Sequence, residues 1–532
     1  MLHPPEANIY DVFVIGGGVN GCAAARDAAG RGLSVCLAEM GDLASATSSA
    51  STKLFHGGLR YLEYCEFRLV REALLERETL LRAMPHISWP LRFVLPFHKD
   101  MRFDSKTPVS RLLGAAAPWL SDRRPAWLIR FGLILYDALG KRRELPASAS
   151  LDLANDPAAE PLKPHFRRAF EYSDCWIDDS RLVALTARDA AERGASVLTH
   201  TKVISANRRS DHWAVKLKDM QTGAVRSLCA RSLINAAGPW VGRVGKEYLQ
   251  LDVQSEVRLV RGSHIVTKRL FSHDKAYFLQ GADGRIVFAI PYETDFTLIG
   301  TTEIDYRGDP ADATCTQEER DYLCEFLSGY FKKPLCPEDI LWTFSGVRPL
   351  LCDKSSSATA ATRDYDLALD EHGAPCLNIL GGKITTHRRC AERAIDKLSK
   401  FFPACGSPWT AAAALPGGGF TVSEKARVIS SLLEVYPFLE HFHAERLVKA
   451  YGDEAPLLLG KASSISDLGR YFGATLTEKE VIWMMEKEFA RTAGDIVWRR
   501  SKLGLRMNAG QIAELDAWMA KQSLNSIRNT AA

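Results

Sequence analysis

The chain of 532 residues contains no apolar run approaching the about 18 residues that a membrane-spanning helix needs. Its charge is not of one sign. Lys and Arg number 68 against 64 Asp and Glu, a net of +4, too little to bind nucleic acid by charge alone. None of the twelve Cys falls in a C-x-x-C pair, so zinc-ribbon and thioredoxin chemistry are unsupported. The start, MLHPPEANIY, lacks the basic and apolar regions of a secretory leader, and the chain carries neither a D-x-[DN]-x-[DN]-G calcium loop nor an internal repeat. The scattered cysteines therefore read as reduced, buried small hydrophobes of a cytosolic protein. The expectation is a chain that is soluble or peripheral to a membrane. With 46% hydrophobic and 25% charged residues, the composition is ordinary for a globular protein of two to four domains.

Residues 10–15 (YDVFVI) read as a buried parallel strand. GGGVNG follows at 16–21, then an Ala-rich helical stretch from Cys22 to Ala29, and a second strand from Ser34 to Ala38 that ends in Glu39. Each part has a physical reason. Gly16 permits the tight strand-to-helix turn, Gly18 lets the backbone approach a pyrophosphate, and Gly21 lets helix and strand pack closely. The helix N-terminus offers N–H groups to phosphates, and Glu39, 18 residues beyond Gly21, stands where an acid binds the ribose hydroxyls. The acid disfavours NADP; FAD and NAD both fit this unit. Directly after it, SATSSASTKLFHGGLRY (45–61) sets Thr47, Ser48, Ser49, Lys53, His56, Gly57, Gly58, Arg60 and Tyr61 within one stretch. Small hydroxyl residues there suit an extended cofactor better than a linker.

Further blocks accompany these: TSSASTKLFHGGLRYLE (47–63), EYSDCWIDD (171–179), NAAGPW (235–240), RGSHIV (261–266), IGTTE (299–303), SGVRPL (345–350), TRDY (362–365) and GGKITT (381–386). In this order they resemble the FAD-dependent glycerol-3-phosphate dehydrogenases, the bacterial aerobic form above all. The likeness covers about residues 9–400 and continues more loosely through ALPGG (414–418). It implies an α/β protein, α+β overall: a Rossmann-type FAD-binding domain, an antiparallel substrate-binding sheet and a C-terminal helical domain. The FAD-binding parts fall at about 9–100, 167–250 and 361–400 within 1–405, the inserted sheet at about 251–360, and the helical domain at 406–532.

The resemblance also implies hydride transfer from carbon 2 of sn-glycerol 3-phosphate to FAD, giving dihydroxyacetone phosphate, with electrons passed to a membrane quinone. Such a site needs cations for a phosphate dianion, a base for the hydroxyl proton and positive charge beside the flavin. Arg60 and Arg348, with Arg363 as a third candidate, are assigned to the phosphate, because the guanidinium fork matches its oxygens. Lys383, after Gly381 and Gly382, is assigned to the flavin, with Thr385 opening a helix beneath it and Gly238 in a further cofactor turn. His264 is the first choice of base, with His56 and Tyr61 as alternatives, and Thr301 and Thr302 are expected to line the pocket. Asp174, Asp178 and Asp179 pair with site arginines or cap the next helix, the latter preferred. His441 and His443 read as a solvated helix face; no metal is expected. Rival functions are an oxidase of the same architecture, acting on this substrate or an amino acid, and a non-catalytic FAD-containing protein that binds a partner.

Along the chain, the leucine pattern predicts a helix over 62–83 and another over 316–334. Short strands are expected at 256–260, 264–267, 285–290 and 297–300, and a capping box at Thr477 and Glu480. Residues 123–143 (RRPAWLIRFGLILYDALGKRR) form a Trp- and Leu-bearing segment, too short to span, with basic pairs at both ends. Such a segment lies in an interface with anionic lipid. The expected location is therefore the inner face of the cytoplasmic membrane, held peripherally; a homodimer is left open.

Overall fold

The computed structural model describes residues 9–98, 101, 125–140, 144–251, 257–281, 284–351 and 364–531. Two sheets dominate it. The strand Tyr10–Ile15 is apolar throughout its buried part, and Val12, Phe13 and Val14 have no exposed surface, as a central parallel strand covered on both faces requires. It pairs in parallel with Val35–Ala38 on one side and Val225–Asn235 on the other. The order across the sheet is Tyr365–Asp370, Cys376–Gly381, Val225–Asn235, Tyr10–Ile15, Val35–Ala38, Ser196–Leu198. A hairpin of Thr201–Arg208 and Trp213–Asp219 extends it. The helix Val19–Gly30 packs between Asp179–Glu192 and His387–Ser399, and its residues from Gly21 to Ala29 are all buried. Alanine and glycine allow that close approach.

The second sheet has ten strands; near one end of it Val257–Lys268 pairs with Phe296–Gly300 on one side and Ile340–Leu351 on the other. It runs on through Ile286–Tyr292, Ala276–Gln280, Ser88–Phe97 and Arg168–Ile177 to Leu54–Phe55. The sheet is thus wider than the 251–360 block and recruits strands from the first 180 residues.

Several elements depart from the sequence expectation. The two short strands at 256–260 and 264–267 are one strand, because Gly262 between them is a strand residue crowded by neighbours rather than a turn. A Cβ there would lie 2.7 Å from Thr301 Oγ1 and 2.8 Å from Arg348 Nη2. The helix expected over 62–83 starts later, at Phe67. Before it, Leu59–Tyr64 is a 3₁₀ turn ended by Cys65, which has φ +60°. The helix over 316–334 ends at Tyr330. The box expected at Thr477 and Glu480 does not form: Thr477 makes no capping bond, and the Glu480 carboxylate, which would reach back to the Thr477 N–H, accepts from Arg446 instead; capping boxes form at Thr316–Glu319 and Thr421–Glu424. His443 is buried rather than solvated, and burial pushes its pKa down to about 4. The segment 102–124, the basic residues Arg123, Arg124, Lys141, Arg142 and Arg143, and Arg363 lie outside the described residues. Among the described residues, no helix is long and apolar enough to cross a membrane.

The C-terminal helices dock on the nucleotide unit through buried charge. Arg500 donates two bonds to Asp42, at 2.8 and 2.7 Å, with both side chains essentially unexposed. Arg181 of the helix Asp179–Glu192 pairs with Glu488, and Trp342 of the second sheet stacks on Trp498 at 4.8 Å. Asp42 follows Glu39 by three residues, so the C-terminal helices clamp the loop that follows the strand Val35–Ala38. Replacing Arg500 with Ala strips a buried carboxylate of its main partner. Arg499 still reaches Asp42, which places the expected cost near the lower end of the range for broken buried pairs, about 3 kcal/mol. Urea unfolding measures it; an unshifted midpoint contradicts this docking.

Candidate functional site

At the C-terminal edge of the parallel sheet the chain builds a cradle. Gly16 turns with φ +107°, and a Cβ on it would lie 2.6 Å from Ala236 O. A Cβ on Gly21 would lie 2.0 Å from Gly16 O. These two glycines are steric necessities, set by the turn against NAAGPW, which carries Gly238. The Glu39 carboxylate accepts from Gly17 N–H at 2.7 Å and Gly41 N–H at 2.8 Å. Burial pushes its pKa up while these amides oppose the shift. Gly18 sits at the helix N-terminus, and the Ser48 hydroxyl accepts from Val19 N–H at 3.0 Å, so hydroxyl and helix terminus face one another where phosphates are bound.

The stretch from Thr47 onward is a strap between the two sheets. Thr47 donates to Val347 O at 2.7 Å, beside Arg348. Ser49 O accepts from Lys53 Nζ at 3.0 Å, and Lys53 is paired with Asp179 at 2.7 Å, both buried. His56 N–H donates to Thr385 Oγ1 at 3.3 Å, which brings the HGG turn against the second glycine turn. That turn approaches the cradle helix, with Asn20 Nδ2 donating to Gly381 O at 3.4 Å. Gly382 adjoins Asn20 and Tyr365. Lys383 Nζ lies over the Tyr61 ring, 3.9 Å from its centroid. Arg60 precedes Tyr61 on the same 3₁₀ turn, half-buried.

On the substrate sheet, Arg348 Nη2 donates to Thr301 Oγ1 at 3.1 Å, and Nη1 reaches Glu303 at 3.4 Å. His264 pairs across the strands with Gly300 and with Phe344, on whose ring it stacks at 4.8 Å. Its Nε2 is 2.9 Å from Thr52 Oγ1 of the strap, and the residue has no exposed surface. Burial first, then the charges of Arg348 and Lys53, hold its pKa well below 6.5. The geometry thus gathers one cluster from His264, Thr301, Arg348 and Lys53, and a second from His56, Tyr61, Lys383 and Thr385.

Some partners were not legible in the sequence. Asp178 caps its helix at Arg181 N–H, as preferred, but Asp179 accepts from Lys53, Ser51 and Ser180. Asp174 pairs with Arg77 at 2.6 Å, and Thr52 reaches His264. The doubled acid of DCWIDD was the one available signal.

The FAD-dependent oxidoreductase model matches residues 11–388, and the model of the C-terminal domain of alpha-glycerophosphate oxidase matches 408–521. The chain is 45% identical over 513 residues to the aerobic glycerol-3-phosphate dehydrogenase of Escherichia coli, covering 96% of this chain and 97% of that one. The chain belongs to the family of FAD-dependent glycerol-3-phosphate dehydrogenases. It is also 46% identical over 520 residues to the D-erythritol 1-phosphate dehydrogenase of Brucella abortus, covering 98% of this chain and 99% of that one. The fold is that of the glycerol-3-phosphate dehydrogenase of Bacillus halodurans complexed with FAD, with TM-score 0.71 at 24% identity over 97% of this chain and 91% of that one.

The cradle fits the family's cofactor. Gly16, Gly18 and Gly21 would give the pyrophosphate a backbone surface, Glu39 would meet the ribose, and Ser48 and the second glycine turn would continue the path. A Cβ on Gly18 meets only Ser48 Oγ, at 3.1 Å, so a bulkier residue is tolerated by the fold but fills the place of the phosphates. Gly18→Val is therefore expected to fold, with an unchanged circular dichroism spectrum, and to purify without FAD. Yellow, fully loaded Gly18→Val protein contradicts the cradle.

Proposed function

We propose that the protein oxidises the secondary alcohol of sn-glycerol 3-phosphate to dihydroxyacetone phosphate at the meeting point of these two clusters. The observation that carries the reading is Arg348, whose guanidinium is lodged against Thr301 in space that Gly262 leaves open, on the strand whose Val347 carbonyl is held by the strap. FAD held by the glycine cradle and Glu39 would supply the acceptor for the hydride of carbon 2. Arg348, with Arg60 and Arg363, binds the phosphate dianion; Thr301 orients Arg348; Lys383 supplies positive charge beside the cofactor.

The proton of the substrate hydroxyl is assigned to His56. His264, the first expectation, is enclosed, stacked on Phe344 and met by Thr52 at Nε2, and its depressed pKa makes it a poor acceptor. His56 is half-buried on the turn that carries Tyr61. The pH profile separates the two. A group whose folded pKa lies well below 6.5 stays neutral from pH 6 to 8, so His264→Asn is expected to leave the acidic limb of the turnover profile in place, whereas His56→Asn removes it. The reverse outcome returns the role to His264.

Arg348 is tested through kcat/KM. Deleting one partner of a charged, desolvated contact costs about 2–5 kcal/mol, so Arg348→Ala is expected to lower kcat/KM by roughly 30- to 4,000-fold, mainly through KM, because the phosphate is bound equally in ground and transition states. A change confined to kcat assigns the phosphate elsewhere. The Brucella abortus relative supports a second reading, a four-carbon polyol phosphate. D-erythritol 1-phosphate turned over with the higher kcat/KM favours it over the three-carbon substrate.

We also infer peripheral contact with anionic lipid, with delivery of electrons to a membrane quinone. On the helix Ala126–Leu139, Trp127, Phe131 and Ile134 fall on one face and are each half or more exposed, at 59%, 59% and 50%. Leu133 and Tyr136 face the core. An apolar stripe of that kind is suited to the bilayer interface. Trp127→Ser with Phe131→Ser is expected to weaken sedimentation with anionic vesicles by at least about tenfold, given about 1.5–3 kcal/mol for each large apolar side chain fully buried, while turnover with a soluble dye is unchanged. Undiminished sedimentation excludes this face.

A further inference from the structure

Tyr136 lies outside every motif of the site, yet its side chain ends on the backbone of the HGG turn. Gly57 N–H donates to Tyr136 Oη at 2.7 Å, and the Tyr136 hydroxyl donates to Asp174 Oδ1 at 2.8 Å. Arg77 Nη1 donates to the same carboxylate oxygen at 2.6 Å and to Ser173 O at 2.7 Å. The network is enclosed: Tyr136, Arg77 and Asp174 are only 1%, 2% and 3% exposed. Burying three such polar groups is costly unless their bonds are made; here Tyr136 and Arg77 both donate to Asp174 Oδ1, and the Tyr136 oxygen accepts from the Gly57 amide. Gly57 is itself required for the approach, because a Cβ there would lie 2.5 Å from Leu74 Cδ2 and 2.8 Å from Tyr136 Cε2.

The opposite side of the turn carries the chemistry. His56 is joined to Thr385 through its backbone, donating at 3.3 Å and accepting at 3.4 Å. Gly58 is pressed on Tyr61, where a Cβ would lie 2.1 Å from the ring. The Tyr61 ring in turn supports Lys383. A shift of the Gly57 amide therefore moves His56, Tyr61 and Lys383 together.

We propose that Tyr136 is a positioning residue for the reaction: its hydroxyl, held by Asp174 and Arg77, fixes the Gly57 amide and through it the His56 side chain and the Tyr61–Lys383 pair. This rests on the dehydrogenase reading of the site. The helix that carries the exposed Trp127 and Phe131 thus also supplies, from its buried face, the tether of the reactive turn.

Tyr136→Phe tests it, because the ring keeps its edge contact with Tyr172, at 5.9 Å between centroids, and only the hydroxyl is lost. Two quantities are read on the FAD-loaded, full-length protein. Hydrogen exchange of the peptide containing Gly57, without substrate, is expected to quicken by roughly tenfold or more, the loss of one buried hydrogen bond. In anaerobic rapid mixing with glycerol 3-phosphate, the limiting rate of flavin reduction is expected to fall about tenfold (about 1.4 kcal/mol), while apparent substrate affinity weakens by no more than about threefold, because Arg348 lies on the strand Ile340–Leu351 and only Arg60, beside Tyr61, follows the turn. Tyr136→Leu, which also removes the ring, is expected to lower the unfolding temperature further. A purely structural tyrosine would lower that temperature in both variants and leave the limiting rate of the Phe variant at the wild-type value. That result, or wild-type exchange at Gly57, overturns the proposal alone. A wild-type flavin reduced neither by glycerol 3-phosphate nor by D-erythritol 1-phosphate overturns the dehydrogenase reading and the proposal with it.

Discussion

The buried pair of Lys53 and Asp179 holds the segment on which the rest of the site depends. Neither side chain has more than 1% of its surface exposed, so two charges have been taken out of water at a cost that their attraction offsets only if every remaining bond is made. They are made: Ser49 O takes a second Lys53 proton, and Ser51 and the Ser180 amide donate to Asp179. Asp179 opens the helix Asp179–Glu192, which packs on the cradle helix. The pair thereby pins the strap to the cofactor sheet at one point, while Thr47 and Thr52 fasten it to the substrate sheet. Removing either partner would leave the other charge buried, so the strap has one stable position.

That position explains the electrostatics. Lys53 and Arg348 bring positive charge towards His264 from the strap and from the substrate strand, and in a dry interior this acts with burial to keep the ring neutral. Lys383 adds a third cation on the other side of the strap, over Tyr61. A phosphate dianion bound as proposed at Arg348 would enter a field to which these cations already contribute. Glu39 shows the opposite case, a carboxylate held by two amides, N-terminal to the strap. The C-terminal domain adds Arg500 at that end, so the cradle is closed by a residue some 460 positions away in the chain.

The sequence was most legible where chemistry is local. The turn at Gly16 to Gly21, the strand before it and the acid after it are each dictated by backbone sterics within 30 residues, and the structure reproduces them. The antiparallel sheet was legible as a class but not in extent. The break expected between 260 and 264 is absent, and Gly262 is a strand residue beside which Thr301 and Arg348 crowd. Ser88–Phe97 and Arg168–Ile177 belong to the substrate sheet through long-range pairing that no local pattern reveals. The partner of Asp179 and the roles of Thr52 and Tyr136 were not legible for the same reason: the groups they meet lie 126, 212 and 79 positions away. Thr477–Glu480 shows the converse, a local capping signal overridden by Arg446.

The anaerobic visible spectrum of the purified protein, recorded before and after addition of glycerol 3-phosphate, bears most directly on the central claim that the strap joins an FAD cradle to a site for a phosphorylated alcohol. The account predicts a flavin spectrum that bleaches on addition of glycerol 3-phosphate and does not bleach with an equal concentration of inorganic phosphate. A flavin that stays oxidised with glycerol 3-phosphate and with D-erythritol 1-phosphate alike would contradict it.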